Sequence, residues 1–228
     1  MRRILIIGGS KGIGKAILLS QLAQGNKVIN LSRSEPEVDH PNLDHFSFDL
    51  MLDPFPLYGE IDSLVYCPGS INLKPISSLK VEDFRNDFEL NVIGAVKAIQ
   101  YYLNALKSSD SASVLLFSTV AAKIGMPFHA SVAAAKSGVE GLVRSLAAEW
   151  ATSIRINAIA PTLTNTDLAT RFLRNEKMIE SSKERHPLKL ILEPSDVAAM
   201  ADYLLSPVSR AVSGQVFELD CGITTLKV

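Results

Sequence analysis

Apolar and polar positions along this chain follow two rhythms that take turns from one end to the other. Short uncharged runs rich in β-branched residues, such as Ile4 to Ile7 and Val28 to Leu31, suit strands buried on both faces of a parallel sheet. Between them apolar residues recur at helix-compatible positions, as at Ala16, Ile17, Leu18, Leu19 and Leu22. The pattern predicts strands over 3–7, 27–31, 45–48, 61–66, 113–118, 154–160 and 215–219, and helices over 12–24, 87–108, 131–150, 167–183 and 195–206. Such alternation, with no Ser/Gly-rich linker or charge block, predicts an α/β fold in one domain over residues 1–228. Its core would be a doubly wound parallel sheet of about seven strands, helices on both faces. One interval breaks the rhythm. Asp49 to Glu60 leaves little room for a crossover helix, and Pro54 and Pro56 spoil it, so a short loop is expected there.

The turn between the first strand and the first helix carries the first chemical signal. It reads Gly8-Gly9-Ser10-Lys11-Gly12-Ile13-Gly14. Glycines at 8, 12 and 14 allow a tight turn, a close approach to a pyrophosphate and close helix–strand packing, while the N–H groups opening the helix face the anion. Ser10, Lys11 and Ile13 complete the cradle, and the context is that of a Rossmann opening for a dinucleotide. The second strand ends Asn30-Leu31-Ser32-Arg33-Ser34, with no carboxylate before Glu35. An acidic residue there bonds the ribose hydroxyls of NAD and repels a phosphate. Arg33 and Lys11 instead suit a 2′-phosphate, with Ser32 donating a hydrogen bond, so NADP(H) is expected over NAD(H).

Composition narrows the setting. The chain has 228 residues, 47% of them apolar, and a net charge of −1, which offers no basic field to nucleic acid or to an anionic membrane surface. Cys67 and Cys221 belong to no metal-binding spacing, so no metal is expected. With no secretory apolar segment after Arg2-Arg3 and no run long enough to span a bilayer, a cytoplasmic protein is expected.

Ordered motifs along the whole chain resemble the short-chain dehydrogenases/reductases. Besides the glycine turn these are Asp49-Leu50, Asn91-Val92-Ile93-Gly94, Phe117-Ser118-Thr119, Ala135-Lys136-Ser137-Gly138, Asn157 to Pro161, and Gly214-Gln215 to Asp220. The resemblance implies a nicotinamide cofactor contacted by Asp49 at the adenine, by Lys136 at the nicotinamide ribose and by Thr166 at the nicotinamide carboxamide, with Leu50, Gly69, Asn91 and Pro161 also in its binding site. It also implies a carbonyl or alcohol substrate, a lid over 167–183 and a homodimer or homotetramer built on the helices 87–108 and 131–150. Ala133, Ala134, Gly138 and Gly141 would permit close helix contact there.

Three positions depart from the family pattern. Tyr66-Cys67-Pro68-Gly69 stands where the family has N-N-A-G, Thr162 follows Pro161 where the family has glycine, and Val132 stands four residues before Lys136, at the place of the catalytic tyrosine. In the family that tyrosine protonates the carbonyl oxygen as hydride arrives, and an isopropyl group has no proton to donate. Thr119, thirteen residues before Val132, keeps the hydroxyl that polarises the carbonyl; Asn91 and Lys136 keep the relay. His129, seven before Lys136, has the spacing of the tyrosine in the enoyl-reductase branch and is a candidate donor, as is Ser131 beside Val132, which could equally cap the following helix; water relayed through Lys136 and Asn91 is a third source. Ile124, Met126 and Phe128 would give the substrate apolar walls. The sequence thus supports an NADP(H)-dependent carbonyl reductase of ketoacyl-reductase type with an atypical proton donor. The alternative is a catalytically inactive NADP(H)-binding subunit or sensor.

Overall fold

The computed structural model describes residues 1–227; Val228, the last residue of the expected domain, lies outside them. One seven-stranded parallel sheet runs through it in the order β3-β2-β1-β4-β5-β6-β7. The strands are β1 (Arg3–Ile7), β2 (Lys27–Ser32), β3 (Leu43–Ser47), β4 (Ser63–Tyr66), β5 (Ala112–Phe117), β6 (Ile154–Pro161) and β7 (Val216–Leu219). The order reverses between β1 and β4, whose register pairs Ile7 with Tyr66. At such a switch point the loops leaving two neighbouring strands diverge to opposite faces and open a crevice at the carboxyl ends.

Two hydrophobic layers enclose the sheet. Ile4, Ile6 and Val28 pack with Ile17, Leu18 and Leu22 of α1 (Gly12–Ala23) and with Val197, Ala201 and Leu205 of α6 (Pro194–Leu205). On the other face Leu5, Ile7 and Leu64 pack with Ala98, Ile99 and Tyr102 of α3 (Gly94–Lys107) and with Val139 and Val143 of α4 (Ala130–Glu149). Leu19, an apolar position on α1, is 43% exposed, because the face toward α6 is completed by buried Gln21. Gln21 Nε2 donates to Asp202 Oδ1 at 2.6 Å, so a polar pair knits the two helices where a leucine was the obvious candidate.

The helix-poor interval is a loop, and aromatic packing explains how the sheet is covered there. Phe55 lies 5.1 Å from Phe48 and 5.7 Å from Tyr102 between ring centroids, and Tyr102 Oη donates to the Pro56 carbonyl at 2.8 Å. Rings and a hydrogen bond thus do the work of the missing helix.

Two helices expected as single pieces are broken. The helix expected from 87 begins earlier, as α2 (Val81–Phe88), because the Asp83 carboxylate accepts from the Lys80 N–H at 2.8 Å and caps its start. It continues through a π-helical stretch, Glu89–Ile93, before α3. The expected lid helix 167–183 is a 3₁₀ segment, Asp167–Phe172, followed by α5 (Glu176–Glu184), because Asn175 Oδ1 accepts from the Met178 N–H and starts a new helix. Among the described residues no helix is long and apolar enough to cross a membrane.

Candidate active site

At the β1 end of the crevice the glycine turn has the form its sequence requires. Gly8 and Gly12 adopt φ of +83° and +54°. A Cβ on Gly14 would stand 2.2 Å from the Gly8 carbonyl oxygen, so helix and turn meet backbone to backbone. Buried Asn30, on β2, accepts the Gly9 N–H on its side-chain oxygen at 3.0 Å and holds the turn from below. Lys11 caps α1 with no side-chain hydrogen bond, and the first turn holds no acidic residue; its N–H groups and positive dipole are left for an anion. The residues present therefore fit a pyrophosphate. Thr166 closes the cradle from the far side, its methyl 3.3 Å from where a Gly12 Cβ would stand. Gly14→Ala is expected to abolish nucleotide binding in isothermal titration, since the new methyl overlaps backbone that cannot retreat; wild-type affinity would refute the contact.

Ser32 takes a different part from the one its position suggests. Its buried hydroxyl donates to the Ser34 carbonyl at 3.0 Å and accepts from Asn30 Nδ2, so the proton expected for a phosphate shapes the loop. Ser34 Oγ in turn donates to Ser10 Oγ at 3.1 Å, tying the loop that carries Arg33 to the turn that carries Lys11. Arg33 and Lys11 are exposed, and among the described residues neither makes an ion pair. Asp49 accepts the Met51 N–H on Oδ1 at 2.9 Å in a turn, and Leu50 packs against the core beside Gly94.

Beyond β4 a second group converges. Lys136, on α4, is buried and donates from Nζ to the Phe117 carbonyl at 2.9 Å. Burial pushes its amine down to about 8, with Cys67 and Asp87 opposing the fall. A Cβ on Gly69 would lie 3.5 Å from Lys136 Nζ and 3.4 Å from Asn91 Oδ1, which places amine, amide and bare backbone around one small space. Asn91 sits in the π-helical stretch, 1% exposed, and its Oδ1 has no hydrogen-bond partner. Burial pushes the Cys67 thiol up to about 12, so it stays a neutral wall of the site.

The departure at Tyr66 has a structural reason. A π-helical stretch displaces backbone carbonyls from their usual partners. Tyr66 Oη donates to the Leu90 carbonyl at 2.6 Å, and Gly94 leaves it room, for a Cβ there would stand 2.2 Å from the hydroxyl. The departure at Thr162 also has a partner. Its hydroxyl lies 2.8 Å from Nε2 of buried His186, whose Nδ1 lies 2.8 Å from the Ser182 carbonyl. That carbonyl can only accept, so Nδ1 carries the proton and Thr162 donates to Nε2.

Thr119 Oγ1 accepts from the Ala121 N–H at 3.4 Å, which leaves its own proton free to donate. Val132 is 5% exposed, within α4 and one turn before Lys136. Ser131 does not cap α4: the cap position is His129, and Ser131 lies inside the helix, fully buried with its hydroxyl unpartnered. His129 Nδ1 lies 2.7 Å from the Pro127 carbonyl, and its ring faces a cleft of ≈ 410 Å³ shared with Lys74, Ile76, Met126 and Phe128. None of Asn91, Thr119 or Lys136 lines that cleft. Phe128 and Met126, expected as substrate walls, line this cleft, and Ile124 does not. In the 3₁₀ segment Arg171 is exposed, yet it donates to the Ile71 carbonyl at 2.9 Å and lies 4.7 Å from the Phe172 ring centroid.

Sequence reasoning passed over Asp87, Ser70 and His186. Asp87 is spaced one helical turn before Asn91, a signal that was available; Ser70 and His186 carry none.

Residues 55–224 match the family model described as enoyl-(acyl carrier protein) reductase. A tropinone reductase homologue of Datura stramonium is 30% identical over 243 residues, covering 96% of this chain and 91% of that protein. The ligand-free aldohexose dehydrogenase of Thermoplasma acidophilum superposes with a TM-score of 0.90 at 26% identity, covering 99% of this chain and 95% of that one. A short-chain dehydrogenase family protein of Francisella tularensis subsp. tularensis SCHU S4 superposes with a TM-score of 0.89 at 24% identity, covering 99% and 100%.

Proposed function

Because the chain belongs to the short-chain dehydrogenase/reductase family, we propose that it is an NADP(H)-dependent oxidoreductase reducing the carbonyl of a small molecule, with Lys136 as its proton source. One observation carries the reading. A buried amine brought to about 8 and an unpartnered amide oxygen flank the same bare backbone at Gly69, on the same edge of the sheet as the glycine turn.

The cofactor would be held by the turn Gly8, Ser10, Lys11, Gly12, Ile13 and Gly14, by Arg33, and by Gly69, Asn91, Lys136, Pro161 and Thr166. When bound it supplies the hydride that adds to the carbonyl carbon. Thr119 donates its free hydroxyl proton to the carbonyl oxygen and orients it. The negative charge that builds on that oxygen is met by a proton from the Lys136 ammonium, directly or through a water at Asn91 Oδ1; one N–H bond breaks as one O–H bond forms. A donor with a pKa of about 8 is charged at neutral pH, so the rate of reduction is expected to fall as pH rises through about 8.

The phosphate preference rests on Arg33 and Lys11, held together by the Ser34–Ser10 bond. Arg33→Ala is expected to weaken NADPH binding about 10- to 100-fold, the scale of a lost charged hydrogen bond, with NADH binding unchanged. Fluorescence titration with both nucleotides checks this; equal losses for both would refute the phosphate contact. Homodimers or homotetramers would form on α3 and α4, where Tyr101, Ala134 and Gly141 are exposed and Gly141 opens onto free space. Size-exclusion chromatography with light scattering reads this directly.

Val132 favours the second reading, a cofactor-binding subunit without turnover. NADPH consumption over a panel of ketones, aldehydes and acyl thioesters separates the two. Oxidation of NADPH with any of them supports the reductase, and tight NADPH binding with no turnover on all of them supports the subunit.

A further inference from the structure

Asp87 is a carboxyl group where a two-layer packing would ordinarily place an apolar side chain. It lies on the last turn of α2, 3% exposed, facing α4. Buried carboxylates are costly and persist when the structure uses them. Here Oδ1 accepts from Ser70 Oγ at 2.5 Å, and Oδ2 has no partner.

The Ser70 contact decides how the neighbouring amide points. Ser70 has one hydroxyl proton, and the carboxylate takes it; the oxygen lone pairs are then left to accept from Asn91 Nδ2 at 3.2 Å. The second proton of Nδ2 goes to the backbone carbonyl of Asp87 itself at 2.8 Å. Both amide protons are therefore taken, one by Ser70 in the loop after β4 and one by the α2 backbone, and Asn91 Oδ1 is turned toward Gly69. Without the carboxylate the Ser70 hydroxyl could rotate and donate to the amide oxygen, which would reverse it.

Lys136 on α4 is the titratable group coupled to Asp87, and Cys67, coupled to Lys136 from the loop after β4, stays neutral. The Asp87 carboxyl raises the pKa of the Lys136 amine against the fall that burial imposes. We propose that Asp87 is a positioning residue of this site, which fixes the Asn91 amide through Ser70 and supplies the negative charge coupled to Lys136. The inference rests on the reading of Lys136 as proton source, yet its structural content is testable without turnover.

The experiment follows the Lys136 ζ-nitrogen by NMR in full-length protein, its signal identified by loss in Lys136→Met. In Asp87→Asn the titration midpoint is expected to move down by about one pH unit or more, the usual size of removing a nearby opposite charge. Asp87→Glu is expected to return most of that shift. Ser70→Ala keeps the charge and frees the amide: the midpoint stays within a few tenths of a pH unit, while kcat falls about tenfold with KM unchanged, as expected for a misplaced catalytic group. An unmoved midpoint in both Asp87 variants would overturn the charge role, and unchanged kcat in Ser70→Ala the orienting role. If the natural protein binds NADPH without turnover, the NMR titration still decides Asp87, and the loss falls on the reductase reading alone. Should Asp87→Asn not fold, Asp87→Ser removes the same charge with a smaller side chain and carries the charge test, while Ser70→Ala carries the orienting test.

Discussion

Lys136→Met is expected to lower carbonyl reduction about 10²- to 10⁴-fold and to raise the thermal stability of the nucleotide-free protein. Loss of activity follows because methionine has no proton to give and no donor for Phe117 or the nucleotide. The gain in stability comes from the same burial that tunes the amine. Folding moves its pKa from 10.5 to about 8, so below pH 8 the folded state holds a cation it would be more stable without. The cost is about 3 kcal/mol, and leaving the Phe117 carbonyl unpaired returns roughly 1 kcal/mol of it. Between pH 8 and 10.5 the folded state binds fewer protons than the unfolded state, so the natural protein is expected to gain stability as pH rises through that window. The methionine variant lacks this component, and the gap between the two closes toward high pH. Thermal melts from pH 7 to pH 10.5 measure it; parallel curves would show that the amine is not buried as a cation.

Val132→Tyr is the second large effect, and it runs the other way. Residues 132 and 136 are one turn apart on α4 and point to the same side, so a phenol at 132 would stand beside the Lys136 ammonium, which lowers the pKa of a hydroxyl. That restores a direct donor at the carbonyl oxygen, and kcat is expected to rise about 10²-fold or more with NADPH affinity unchanged. Val132 is 5% exposed, so the ring must extend into the crevice rather than into the core. The informative measurement is single-turnover NADPH oxidation on the same carbonyl panel. A folded, NADPH-binding tyrosine variant with no gain in rate would mean that the proton donor is not what limits this site.

How much of this site could be read along the chain depends on how local each feature is. Asn91, Thr119 and Lys136 were legible because motifs of a few residues bracket them, and Lys136 and Asn91 do meet at Gly69. Ser32 misled because a hydroxyl at a strand end looks free, whereas Asn30, two residues away on the same strand, engages it. His129 stands at the cap of α4, after Phe128 at φ +70°, and its ring lines the cleft shared with Met126 and Phe128, a placement that spacing from Lys136 does not specify. The bond from Arg171 to the Ile71 carbonyl could not be read along the chain, because no sequence pattern marks a backbone carbonyl as a partner.

What the sequence determined by itself is therefore the alternation of strands and helices, the glycine turn with its uncapped helix start, and the absence of a tyrosine at 132. Each is a matter of neighbouring residues: periodicity sets burial along one element, and backbone freedom sets the turn. Only the tertiary structure decided that Tyr66 supports the π-helical stretch against Gly94, that His186 accepts from Thr162, and that Asp87 and Ser70 aim Asn91 at Gly69. These contacts join elements far apart in the chain or turn on the direction of a single proton. A buried hydrogen bond is chosen by the polar groups that folding leaves with no water to bind, and that choice exists only once the layers have closed.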